Sequence, residues 1–110
     1  MKVIFMGTPD FAVGTLEALH EAGHEITLVV SQPDKPKGRG MKMIPSPVKE
    51  LALARGIPVY QPRTLRDGSS DDVIKELAPD IIVVVAYGCI IPPQLLHAAK
   101  YGCINLHVSL

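Results

Sequence analysis

Ile81-Ile82-Val83-Val84-Val85-Ala86 is a run of six apolar residues, five of them β-branched, with no polar residue to mark a wet face. Such continuity is the mark of a parallel strand covered by helices on both sides, since a strand with one solvated face would alternate. The run is far too short to span a bilayer or to serve as a signal segment. Downstream, a turn leads into Cys103-Ile104-Asn105-Leu106-His107-Val108-Ser109-Leu110. If residues 103 to 109 are extended, Ile104, Leu106 and Val108 face one way and Asn105, His107 and Ser109 the other. Asn105 and His107 then project side by side, roughly 6 to 7 Å apart along the strand. An amide that donates to a developing oxyanion, beside an imidazole that accepts a proton, makes an acyl-transfer pair. A half-exposed strand with a polar face accounts for the same residues.

Upstream, Val3 to Met6 is a short β-type run closed by Gly7, and Thr8-Pro9-Asp10 reads as an N-cap, a first-turn proline and a first-turn acid. Apolar residues at 12, 16 and 19 give the following helix its stripe, Gly23 stops it, and Ile26 to Val30 is the next strand. Ser46-Pro47 repeats the capping device before a helix with Val48, Leu51 and Ala52 inward and Gly56 at its end. Pro58 to Gln61 is a short strand, suited to a sheet edge by its proline, and Arg63 to Ser69 is a polar connection. Ser70 then caps a helix with Asp71 and Asp72 in its first turn, ending before Pro79. The alternation of strands and helices predicts an α/β fold: a doubly wound, Rossmann-like parallel sheet of order 3-2-1-4-5. Ligands of such sheets sit beyond the carboxyl ends of the strands, where the order reverses. Gly7 to Phe11, Tyr87 to Pro92 and His107 to Leu110 all fall there.

Lysine plus arginine equals aspartate plus glutamate, eleven each, so no global field marks a nucleic-acid or membrane binder. The charge is local instead. Residues 32 to 45 carry Lys35, Lys37, Arg39 and Lys42 against Asp34 alone, four positive minus one negative, a net +3. Their prolines and glycines are expected to block regular structure over this span. A phosphate-binding arm and a solvated surface loop fit the composition equally. Cys89 and Cys103 lack metal-ligand spacing and fit free thiols in a reducing cytosol, and the location expected is cytoplasmic, with no membrane partner. His20-Glu21-Ala22-Gly23-His24 matches a zinc pattern, but Gly23 would break the helix that must present both histidines, so no metal is expected. The turn from Gly7 to Gly14 lacks the glycine spacing that admits a dinucleotide pyrophosphate.

Gly7-Thr-Pro-Asp-Phe-Ala12, Gln32-Pro-Asp-Lys-Pro-Lys-Gly-Arg-Gly40 with Ser46-Pro-Val-Lys49, Val85-Ala-Tyr-Gly88 with Ile91-Pro92, and Asn105-Leu-His-Val-Ser-Leu110 together resemble the methionyl-tRNA formyltransferase family. The Asn-x-His and Ser-Leu ending is shared by folate-dependent formyltransferases generally, whereas the first two motifs point to the tRNA-acting branch. The resemblance implies formyl transfer from 10-formyltetrahydrofolate to the α-amine of initiator methionyl-tRNA, without a metal. It casts Asn105 and His107 as catalytic and Tyr87, Gly88, Ile90, Ile91, Pro92, Ser109 and Leu110 as folate-binding. Phe11 would touch the methionyl side chain, and Lys35, Lys37, Arg39 and Lys42 would enter the RNA acceptor stem. The alternatives are a folate-dependent formyltransferase acting on a small amine, such as an amino sugar or nucleotide precursor, and a non-catalytic module that holds nucleic acid or folate. By the same resemblance residues 1–110 are the amino-terminal part of a formyltransferase domain, truncated after the fifth strand. A third catalytic residue, an aspartate, would follow Leu110, so these residues alone are expected not to turn over. The fifth strand, left as an edge, is expected to favour self-association.

Overall fold

The computed structural model describes residues 1–37, 40 and 42–106. In chain order its elements are β1 (Lys2–Gly7), a 3-10 turn (Asp10–Ala12), α1 (Val13–Glu21), β2 (Glu25–Val30), β3 (Lys35–Lys37) and β4 (Lys42–Ile44). There follow α2 (Pro47–Ala54), β5 (Val59–Tyr60), α3 (Asp71–Leu77), β6 (Ile81–Val85), α4 (Pro93–Leu96) and β7 (Cys103–Leu106). The main sheet runs β5-β2-β1-β6-β7 with every neighbouring pair parallel. Leaving aside the separate β3–β4 pair, that is the expected order 3-2-1-4-5. It reverses between β1 and β6.

Alternation along β1 and β6 sends residues to two cores. Val3, Phe5, Val83 and Val85 pack with Ala12 of the 3-10 turn, Leu16 of α1, and Val48 and Ala52 of α2. Ile4, Met6, Ile82 and Val84 pack on the other face with Leu65, Ile74 of α3 and Leu95 of α4. Both faces are therefore covered, as the unbroken apolar run requires. In β2 the pairing with β1 shifts between Val3 and Ile4, so Ile26 and Leu28 meet consecutive residues of β1. This irregularity lets Ile26 and Val29, three apart, reach the same core.

Ser46 caps α2 as its sequence suggests, its hydroxyl oxygen accepting from the Lys49 amide at 3.1 Å. The other two proposed caps are corrected. Thr8 does not cap a helix, because the 3-10 turn begins after Pro9 and the Thr8 hydroxyl donates instead to the Tyr87 carbonyl at 3.0 Å. Ser70 makes no capping bond either, and its buried hydroxyl pairs with the Tyr60 hydroxyl at 2.8 Å. In both cases a tertiary partner outcompetes the local amide.

The span from 32 to 45 also departs from expectation. Among its described residues β3 and β4 pair as an antiparallel hairpin, with Lys35 opposite Ile44 and Lys37 opposite Lys42. Pro36 is tolerated because each strand of a two-stranded ribbon is an edge, with one row of amides free of any ladder. Asp34 does not offset the hairpin's cations. Its carboxylate is turned to Lys49 Nζ at 3.0 Å and Gln61 Nε2 at 2.7 Å, both outside the hairpin. Arg39 lies outside the described residues.

Candidate functional site

At the carboxyl rim the ends of three strands are tied together. The Tyr87 carbonyl, just past β6, accepts from Thr8 Oγ1 after β1 and from Gln32 Nε2 after β2, at 3.0 and 2.8 Å. The chain reaches that position through Ala86, whose φ of 52° is left-handed without the freedom of glycine. Such a residue costs of the order of 1 kcal/mol and persists only where its surroundings hold it. Here the two bonds to Tyr87 do so. Gly88 follows with φ 87°, and a side chain there would run into the Gln32 amide. Gly7 is needed for a different reason, as a Cβ would lie 2.9 Å from both the Phe5 ring and the Val85 carbonyl oxygen.

This turn forms one wall of a cleft of about 700 Å3, within the range of ligand-binding pockets. Residues 86 to 91 line it together with Phe11 from the 3-10 turn and Asn105 and Leu106 from β7. The register sets Asn105 opposite Val84. Tyr87, Gly88, Ile90, Ile91, Phe11 and Asn105, six of the residues expected in the site, thus line one cavity. Pro92 does not line it; it is buried and precedes α4. His107, Ser109 and Leu110 lie outside the described residues. Leu96 and Cys103 also line the cleft and were not singled out from the sequence. For Cys103 the signal was present, since alternation along β7 places it on the same face as Asn105.

The wall is mostly apolar. Ile90 and Phe11 are half or more exposed, large apolar groups left uncovered. Burial, with Cys89 and Tyr60 nearby, pushes the Tyr87 hydroxyl up to about 12. That hydroxyl has no hydrogen-bond partner among the described residues. Burial also raises the Cys103 thiol, which disfavours its thiolate.

The zinc-like pattern does not assemble. α1 ends at Glu21 and Gly23 has φ 87°, so His20 and His24 do not share a helix face. No helix among the described residues is long and apolar enough to cross a membrane. Lys35 and Lys42 are exposed on the hairpin and make no ion pair among the described residues.

The formyl transferase family model matches residues 1–110. Curated relatives include the methionyl-tRNA formyltransferases of Pelotomaculum thermopropionicum, 57% identical, and Alkaliphilus oremlandii, 60% identical, each over all 110 residues. That of Clostridioides difficile is 58% identical. The chain spans 35 to 36% of the length of these relatives. Among solved structures, phosphoribosylglycinamide formyltransferase from Bacillus halodurans superposes with a TM-score of 0.68 at 19% identity, over 97% of this chain and 56% of that one. Glycinamide ribonucleotide transformylase 1 from Geobacillus kaustophilus gives 0.66 at 20% identity, over 99% and 58%. At such identities the structural likeness speaks for the fold alone.

Proposed function

The chain belongs to the formyl transferase family, and from that premise we propose that it forms part of an enzyme moving a formyl group from 10-formyltetrahydrofolate to the α-amine of initiator methionyl-tRNA. The observation that carries the reading is the cleft itself, where Asn105, Phe11 and the 86–91 wall meet at the sheet's carboxyl rim. The wall, with Ile90 and Ile91, offers flat apolar surface to a pterin, and Phe11 offers a contact to the methionyl side chain. Pro92, Ser109 and Leu110 complete the donor-binding set in this reading.

The chemistry needs two kinds of help. When the amine attacks the formyl carbon, negative charge gathers on the formyl oxygen, and the Asn105 amide donates to it. A proton must leave the attacking nitrogen while another reaches the departing folate nitrogen, and His107 assists that movement. Neither step requires a metal or a covalent enzyme intermediate. The cationic stretch from 32 to 45, with Lys35, Lys37, Arg39 and Lys42, meets the acceptor stem of the RNA through its phosphates. Transfer to a small amine leaves that cationic arm without a role. A cytoplasmic setting follows, since charged initiator tRNA is made and used there.

The test is formyl transfer by the full-length protein, supplied with 10-formyltetrahydrofolate and offered methionyl-tRNA beside small amines. Transfer to the RNA is expected, with Asn105→Ala or His107→Ala lowering kcat by about 100-fold or more. Transfer only to a small amine would remove the RNA from the reading and leave the formyl chemistry.

A further inference from the structure

A chain of side-chain amides runs between the hairpin and the wall of the cleft. Gln32, two residues past β2, donates from Nε2 to the Tyr87 carbonyl at 2.8 Å, and it lies so close against Gly88 that no Cβ would fit there. Its own backbone carbonyl accepts from Gln61 Nε2 at 3.1 Å. The same Gln61 nitrogen donates to the Asp34 carboxylate at 2.7 Å, and Lys49 of α2 also holds that carboxylate at 3.0 Å. Every acceptor in this chain is a carbonyl or a carboxylate, so only the NH2 end of each amide can serve, and both N–H groups of Gln61 are used. Both glutamines are half-buried, which shields these bonds in part from competing water. Asp34 immediately precedes β3. The chain thus runs without a break from the base of the hairpin to the turn that lines the cleft.

We infer that Gln32 and Gln61 are positioning residues that couple the two substrates, so that RNA held on the hairpin tightens the donor cleft and a donor in the cleft steadies the hairpin. The inference rests on the transfer to RNA proposed above and adds to it a dependence of each site on the other. The element biased is the turn at Ala86, whose left-handed φ of 52° persists only where its surroundings hold it. Two bonds on the Tyr87 carbonyl do the holding, and they differ in kind. One comes from Thr8, next to a strand buried between two cores, and the other from Gln32, whose own place depends on Gln61. RNA clamped on the hairpin keeps Asp34 and Gln61 in position and so keeps Gln32 on the turn. A donor then meets a wall already ordered and loses less freedom on binding. Coupling of this kind acts equally in both directions.

Tetrahydrofolate, which carries no formyl group to transfer, lets both sites be filled without turnover. In the full-length protein, saturating methionyl-tRNA is expected to tighten tetrahydrofolate binding about fivefold or more, and saturating tetrahydrofolate to tighten RNA binding by the same factor. Gln61→Met keeps the length of the side chain and removes both its donors. It should bring the factor to about 1, while tetrahydrofolate alone binds as before because Gln32 still reaches Tyr87. Gln32→Met should lose the coupling and weaken tetrahydrofolate alone as well. Arg55→Met, which breaks the 2.6 Å bond to Glu17 of α1, should leave the factor unchanged, so that a merely less stable protein does not imitate the effect. Hydrogen exchange reads the unchanged protein directly: methionyl-tRNA should slow exchange at the amides from Gly88 to Ile90, and unslowed exchange there would overturn the inference. Coupling that survives Gln61→Met, equal loss in Arg55→Met, or two substrates that bind without affecting each other would also overturn it and leave the function standing. An unchanged protein that binds tetrahydrofolate but not methionyl-tRNA would remove the RNA from the proposed function and the coupling with it.

Discussion

The wall of the larger cleft and the cationic hairpin share one rim but are held in opposite ways. The wall grows from β6, whose residues Ile82 to Val85 are buried between two cores, and its turn is fixed by bonds from Thr8 and Gln32. The hairpin stands outside both cores. Lys42, Met43 and Ile44 are all exposed, and its base is held by the Asp34–Lys49 pair, by Gln61 and by the Ser31–Ser46 bond. Burial makes a surface that keeps its shape, as the proposed chemistry requires. Polar fastening makes an arm less firmly held than the sheet, and its amides are expected to exchange with solvent well before those of β1 and β6.

The contrast can be tested by stability. Phe5→Ala, at the centre of one core, is expected to cost about 3–5 kcal/mol in denaturant unfolding of the full-length protein. A cost under about 1 kcal/mol would mean that the sheet is not the rigid member of the pair. Gly7→Ala comes next, at about 1–3 kcal/mol, because its Cβ would meet the Phe5 ring and the Val85 carbonyl at 2.9 Å.

Tyr87→Phe is expected to be neutral or slightly stabilising, since it removes a buried hydroxyl with no partner among the described residues. It carries a pH signature as well. With the folded value raised to about 12 from 10.0, the folded state holds its proton longer than the unfolded one. The group therefore leaves stability unchanged below about pH 10 and lowers it as pH rises from there toward about 12, where the folded state resists the ionisation that the unfolded chain undergoes. Tyr87→Phe should flatten that alkaline slope, and an unchanged slope would place its cause elsewhere.

The smallest global effect belongs to Asp34→Asn. Gln61 and Lys49 hold the Asp34 carboxyl below its ordinary value of 3.8. The fastening is thus present above that value and is lost as pH falls through the lower folded one. Hydrogen exchange should show Asp34→Asn loosening the hairpin amides at neutral pH with the sheet untouched, as acid does to the unchanged protein. Loosening of both regions together would erase the distinction.

The two regions were also unequally legible. Ile81 to Val85 carries its own answer, because an unbroken β-branched run has few places to go other than the middle of a covered sheet. Ser46-Pro47 was readable for a similar reason, its cap being closed within three residues. Thr8 and Ser70 have the same local chemistry, yet their oxygens are claimed by Tyr87 and Tyr60, distant in sequence. Local rules cannot see such partners. The hairpin was hidden because Pro36 and the glycines argue against regular structure, and only the free edges of a two-stranded ribbon make room for the proline. The left-handed turn at Ala86 had no glycine to announce it. Phe11 and the Tyr87–Ile91 part of the wall could be placed at one rim from topology alone, whereas Leu96 enters the cleft only through the packing of α4.

The most direct test separates the two regions by kinetics in the full-length protein. Asn105→Ala is expected to lower kcat by about 100-fold or more with little change in KM for methionyl-tRNA. Lys35→Ala combined with Lys42→Ala should raise that KM and reduce its dependence on salt while leaving kcat in place. If both variants instead moved the same parameter to the same extent, the division into a rigid catalytic cleft and a separate RNA-holding hairpin would be contradicted.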